Sequence, residues 1–189
     1  MDCAQRQALL DEIAAQVRVC TLCRLSESRT HAVPGEGPPN AAVMFIGEGP
    51  GAAEDRQGRP FVGPAGQLLN QLLLKAGLRR PEVFITNIVK CRPPENRDPQ
   101  PDEIAACREY LDGQIALLQP QLICPLGRPA TQTLLDPTLS MAQAHGRRQE
   151  REGLTFFPLY HPAAALHNPR LSQPLEEDFE ALGRMLRER

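Results

Sequence analysis

Two sets of residues in this chain have types and spacings suited to chemistry. The first is thiol: Cys20 and Cys23 form a C-x2-C pair, and Cys91 and Cys107 follow much later. Four thiolates drawn from two segments can close a tetrahedral set, and both a zinc ion and a [4Fe-4S] cluster fit that arithmetic. The spacing itself does not choose between them. Two further cysteines are left over: Cys124 stands in an apolar run and reads as a small core residue, and Cys3 reads as incidental. The second set is Glu48, Asn87 and His161, each at or just beyond the end of an apolar run. A carboxylate, an amide and an imidazole offer a base, a reader of heterocycle edges and a donor for developing negative charge.

The elements that must position these groups can be read from periodicity. Apolar runs at Ala42 to Ile46, Val83 to Val89, Leu122 to Leu126 and Phe156 to Tyr160 are strand candidates. Helical patterns cover Cys3 to Val17, Ala65 to Ala76, Pro101 to Leu118 with Asp98 as its cap, Arg128 to Leu135, and Leu175 to Arg187. Strands alternating with helices predict a three-layer α/β/α single domain over residues 1–189, with a central, mainly parallel four-stranded sheet. In such sheets the site lies beyond the carboxyl ends of the strands. The loops starting at Gly47, Asn87, Gly127 and His161 are therefore the ones to watch.

Composition narrows the class. The chain has 189 residues, enough to bury a core without disulfide staples, and its six cysteines suit thiols or metal ligands in a reducing compartment. Nothing approaches the roughly 18 apolar residues of a membrane span, and the N-terminus lacks a basic-then-apolar leader. A cytoplasmic, monomeric protein with no membrane association is expected. A net charge of -2 argues against binding nucleic acid by bulk positive charge, although basic residues such as Lys90, Arg92, Arg128, Arg147 and Arg148 form local spots.

The loop from Gly47 to Leu69, GEGPGAAEDRQGRPFVGPAGQLL, is rich in glycine and proline, which lets backbone approach a ligand closely. It fits neither common nucleotide-phosphate fingerprint. Phe61 within it suits either an ordinary core position or a surface on which a flat base stacks. Asn87, in ITNIVKCRPPENR, must find partners among apolar neighbours.

Taken together, GEGPG, GRPFVG-x-AGQLL, ITN-x-VKCRPPENR and HPAA-x-L, in that order from Gly47 to Asn168, resemble the signature of the iron-sulfur-containing (family 4) uracil-DNA glycosylases. With the cysteine pair and the closing helix, the resemblance covers about residues 5 to 187. It implies a monofunctional hydrolase of base excision repair that flips uracil out of DNA and leaves an abasic site. It further implies a [4Fe-4S] cluster on Cys20, Cys23, Cys91 and Cys107, rather than zinc.

By the same resemblance Phe61 stacks on the base, Asn87 bonds its pairing edge, and Gly47, Gly49 and Gly51 wall the pocket. His161 stabilises the departing base. The role of Glu48 stays open among orienting water, reading the base and excluding the thymine methyl. Better-known relatives in the superfamily carry an Asp one place later, where this chain has Gly49. Leu166 is the expected wedge into the duplex, from a loop spanning Ala163 to Asn168. His167, Arg170, Arg128, Arg59 and Lys90 are expected phosphate contacts. The rivals are a non-catalytic nucleic-acid-binding module of the same fold, a zinc-stabilised hydrolytic enzyme, and a glycosylase of shifted deaminated-base specificity. A basic insertion between Gly51 and Phe61, as in covalently reacting relatives, is absent.

Overall fold

In a computed structural model, residues 1–188 are described; Arg189, the last residue of the expected domain, lies outside the described residues. The helices are α1 (Cys3–Arg18), α2 (Leu25–Ser28), α3 (Ala52–Gln57), α4 (Pro64–Lys75), α5 (Pro101–Leu118), α6 (Arg128–Leu134), α7 (Met141–Ala144), α8 (Pro162–His167) and α9 (Ser172–Arg187). The strands are β1 (Val43–Gly47), β2 (Phe84–Asn87), β3 (Leu122–Pro125), β4 (Gln149–Arg151) and β5 (Leu154–Phe156). They form one sheet in the order β2-β1-β3-β5-β4. β1 pairs in parallel with β2 and β3, and β3 with β5; only β4 is antiparallel.

The central strand VMFIG is buried along its whole length, as expected for a parallel strand covered on both faces. Alternation then assigns its side chains. Val43 and Phe45 enter one core with Leu69 and Leu72 of α4 and Phe179 and Leu182 of α9. Met44 and Ile46 enter the other, with Leu111 and Leu118 of α5 and Leu134 of α6. The result is the three-layer α/β/α arrangement.

The sheet holds a fifth strand where four were expected. The run Phe156 to Tyr160 is not one strand: hydrogen-bonded pairing covers Leu154–Phe156, Pro158 has no N–H to give, and pairing resumes only as a bridge between Leu126 and Leu159. The added strand β4 has the polar sequence QER at the sheet edge. It turns into β5 through Glu152 and Gly153, both left-handed (φ 52° and 78°), the pairing that matches a right-twisted two-residue hairpin.

Two further expectations are corrected. The N-cap of α5 is Gln100, in a reciprocal pair with Glu103, so Asp98 is free for another partner. The segment expected as a loop from Ala163 is the helix α8.

Gly66, inside α4, faces the backbone of Phe61. A Cβ there would stand 1.9 Å from the Phe61 carbonyl oxygen. Gly66→Ala is expected to lower stability by about 1–3 kcal/mol through overpacking, although Ala is the better helix former. Thermal unfolding beside wild type measures it.

Candidate active site

The register Gly47↔Asn87 sets the ends of β1 and β2 side by side, and the Leu126–Leu159 bridge carries His161 to the same edge. A cleft of about 610 Å³ opens there, lined among others by Glu48, Gly49, Gly51, Phe61, Asn87 and His161. All the expected chemical groups of the second set therefore meet in one place. Gly47 does its work behind the wall: a Cβ on it would stand 2.5 Å from Asn87 Oδ1 and 2.8 Å from Phe61 Cζ. The absence of that side chain lets amide and ring sit together.

Phe61 is buried and stacks on His161, with ring centroids 5.4 Å apart and planes 27° from parallel. Asn87 is buried, and its Oδ1 has no hydrogen-bond partner in the protein. An orphan acceptor in a cleft wall costs about 1–3 kcal/mol unless a ligand or water meets it. The atom is available to a donor from water or from a ligand in the cleft.

The backbone N–H of Ala163 donates to His161 Nδ1 at 3.0 Å, so Nδ1 carries no proton and Nε2 is the N–H of the neutral ring. Burial pushes the imidazole pKa down to about 4, against a smaller upward pull from Glu54. At neutral pH His161 is a neutral donor. Glu48 behaves oppositely: burial, then the charge of Asp98 and a hydrogen bond with it, push its carboxyl up to about 7, with Arg128 opposing. It exchanges its proton in the range where an acid or base is most useful.

Several site residues were missed in the sequence. Glu54 lines the cleft and accepts from the N–H groups of Val62 and Gly63, both at 3.2 Å. It sits on α3, a helix hidden inside the glycine-rich loop. Asp98 bridges Glu48 and Arg128, whose guanidinium is 3.5 Å away. Arg56 and Arg97 also line the cleft. Arg97 is tied to the buried Glu103 at 2.6 and 2.9 Å, which pins the segment after Cys91 onto α5.

The expected DNA contacts divide. His167 lines the cleft, Leu166 beside it on α8 is 50% exposed, and Arg128 is exposed apart from its contact with Asp98. Arg170 lies on an exposed turn just past α8. Lys90 does not fit its expected role: it is 1% exposed. Its Nζ donates to Thr86 Oγ1, the Asn87 carbonyl and Gln114 Oε1, because a buried ammonium must be saturated with acceptors. Arg59 is held by both carboxylate oxygens of Glu36 at 2.9 Å.

Cys20, Cys23, Cys91 and Cys107 border a second, smaller pocket between α1, the segment after β2, and α5. No three His, Cys, Asp or Glu side chains among the described residues converge as ligands of a single metal ion. Four thiols around one pocket are a donor set that suits either a [4Fe-4S] cluster or a zinc ion. The sulfurs receive donors: Arg29 Nη1 to Cys91 at 3.2 Å, the Lys90 N–H to Cys107 at 3.4 Å, and the Leu22 N–H to Cys20 at 3.5 Å. Such bonds favour sulfurs that carry negative charge. Burial raises the Cys91 thiol, with Arg29 opposing, and pushes Cys107 up to about 11, with Lys90 opposing. Cys124 is fully buried in the core, and Cys3 is exposed on α1.

Fold and site together define an α/β protein with an open cleft, walled by Phe61, Asn87 and His161, at the carboxyl edge of its sheet. Residues 34–183 match the family model for the uracil DNA glycosylase superfamily. Three curated relatives are each a type-4 uracil-DNA glycosylase. One from Sulfurisphaera tokodaii is 48% identical, over 92% of this chain and 83% of its own length. One from Saccharolobus solfataricus is 49% identical over 90% and 83%, and one from Archaeoglobus fulgidus is 41% identical over 93% and 92%. The chain belongs to the uracil DNA glycosylase superfamily and, within it, to the type-4 uracil-DNA glycosylases. Among the described residues, no helix is long and apolar enough to cross a membrane.

Proposed function

We propose that the protein hydrolyses the N-glycosidic bond of uracil in DNA, releasing the base and leaving an abasic site, as a single-domain monomer acting on DNA in the cytoplasm. The observation that carries this reading is the meeting of the orphan Asn87 Oδ1, the buried Phe61 ring and the neutral His161 donor in one cleft.

A base inside a duplex is out of reach, so the nucleotide is first extruded, at a cost of a few kcal/mol. Phe61 and Asn87 repay that cost, the ring by stacking and the amide by bonding the pairing edge. Asn87 Oδ1 accepts from an N–H donor, which uracil presents at N3; cytosine presents an acceptor at that position. As the bond lengthens, negative charge gathers on the base and positive character on the sugar. The Nε2–H of His161 stabilises the base, a preorganised donor typically worth about 2.7–4 kcal/mol. Glu48, once ionised, places a carboxylate where it orients water and offsets the charge on the sugar.

Cys20, Cys23, Cys91 and Cys107 would hold a [4Fe-4S] cluster. When bound it supplies a structural crosslink, tying α1 to the segment that follows the Asn87 strand. Leu166 would enter the duplex, with His167 and Arg128 against phosphates.

The test uses the purified holoprotein and labelled oligonucleotides carrying U opposite G, U opposite A, T opposite G, or single-stranded U, followed by alkaline cleavage. Cutting at uracil alone supports the reading. No cutting by cluster-loaded protein leaves the non-catalytic DNA-binding module in its place.

The pKa of Glu48 gives a pH dependence with a definite sign. Its carboxylate is lost as pH falls through about 7, so the single-turnover rate is expected to climb from pH 6 to pH 8. Glu48→Gln is expected to remove this limb and lower the plateau about a hundredfold. A limb that survives in the Gln variant would take Glu48 out of the proton-dependent step.

A further inference from the structure

Phe61 is not glycine, yet its backbone is left-handed, with φ 49°. Side chains rarely adopt that conformation, and surrounding structure has to over-determine it. One residue outside the cleft, Arg80, grips both peptide planes that flank Phe61; Glu54 holds the second of them as well, through the Val62 N–H. Arg80, at the start of the turn that leads into β2, donates from Nη2 to the Pro60 carbonyl at 2.5 Å and from Nη1 to the Phe61 carbonyl at 2.7 Å. Those carbonyls belong to the two peptide planes on either side of the Phe61 Cα. Fixing both planes fixes φ and ψ of Phe61, and with them the direction in which its ring leaves the backbone.

The guanidinium is itself held. Nη2 also donates to Glu36 Oε1 at 3.0 Å, and Nη1 to Asn70 Oδ1 on α4 at 3.1 Å. Glu36 is engaged from the other side by Arg59. Burial alone would raise the Glu36 carboxyl, but the two arginines outweigh it and hold it below its ordinary value. Arg80 is only 19% exposed. From below, the α4 backbone at Gly66 closes against Phe61. The rigid fork of a guanidinium reaches two carbonyls and two side-chain acceptors at once, which the single point charge of a lysine cannot do.

We propose that Arg80 is a positioning residue for base capture: through the Pro60 and Phe61 carbonyls it holds the Phe61 ring in the orientation that receives the extruded base. The proposal rests on the reading of Phe61 as the stacking surface for uracil. It makes Arg80, and Glu36 behind it, determinants of how firmly the flipped base is held.

The experiment uses the full-length, cluster-loaded protein as wild type, Arg80→Gln, Arg80→Lys, Phe61→Ala, and Arg80→Gln combined with Phe61→Ala. Single-turnover rate and half-saturating concentration on uracil DNA are measured beside the affinity for DNA with a ready-made abasic site, which has no base to stack. In Arg80→Gln the half-saturating concentration on uracil DNA is expected to rise about tenfold, the scale of one base-stacking contact, with abasic-site affinity within about twofold of wild type. Arg80→Lys should recover only part of the loss. Added to Phe61→Ala, Arg80→Gln should cost less than about twofold more, because both changes act through the same ring.

Additive losses in the double variant, or parallel weakening on abasic-site DNA, would overturn the proposal, as would unchanged uracil binding. If Arg80→Gln does not yield folded protein, Glu36→Gln replaces it in the same comparison, with a smaller rise expected. An inactive wild type would instead refute the glycosylase reading itself.

Discussion

His161→Ala is expected to lower the single-turnover rate of uracil release by about 10²–10³-fold, and the melting temperature by only a few degrees through loss of the α8 cap. The size follows from removing one preorganised donor aimed at charge that exists mainly in the transition state. The ring is stacked on Phe61 and its Nδ1 accepts the Ala163 N–H, so the proton on Nε2 is fixed before substrate arrives. Because burial holds the imidazole pKa down to about 4, this donor is neutral across the working range. The wild-type rate should therefore show no limb from His161 above about pH 5. Rapid-quench assays from pH 5 to 9 check both points. A His161→Ala rate within threefold of wild type would place the stabilisation of the leaving base elsewhere.

Cys107→Ala has its effect on a different quantity. The expected result is a severe loss of soluble folded yield and of bound iron, with any folded fraction releasing uracil at a rate per molecule close to wild type. Cys107 is buried in a cluster of its own with Val17, Leu25, Val89 and Cys91, so it sits where α1, the segment after β2 and α5 meet. Ala32 and the partly buried Ile13, Ile104 and Tyr110 complete that small junction. A cluster linking the three elements would contribute folding free energy, because the assembled thiols do not exist in the unfolded chain. Iron content, visible absorption and thermal unfolding give readouts separate from activity. A Cys107→Ala protein that keeps normal stability without iron would argue against the structural role.

These expectations separate by mechanism. Variants of His161 and Glu48 are expected to change the reaction, those of Gly66 and the cysteines the fold, and those of Arg80 the hold on the base. The Glu48 limb and the absence of a His161 limb also make the pH profile diagnostic: one group changes charge near pH 7, the other has already lost its proton.

The chain's sequence determined which groups exist and, through short-range order, where most elements lie. Apolar runs bounded by glycine and proline marked β1, β2 and β3, and periodicity at three and four marked α1, α4, α5 and α9. Parallel topology followed from their alternation, and the carboxyl edge of the sheet followed from topology. Strand-end positions and that topology together place Glu48, Asn87 and His161 at one edge. The polar edge strand β4 carried no such signal, because an exposed strand has no burial pattern to betray it.

Partnership was decided only by tertiary structure. Lys90 has the same side chain whether it meets phosphate or lies buried; burial against Thr86, Asn87 and Gln114 settled the matter, and no local pattern encodes those distant partners. Asp98 looked like a helix cap by position, but folding gave the cap to Gln100 and brought Asp98 to Glu48 and Arg128. Arg80 lies far along the chain from Phe61 and was invisible as its support until packing closed the distance. Residue identity and local period are properties of the chain; desolvation, charge pairing and the orientation of a ring depend on neighbours that only the folded molecule supplies.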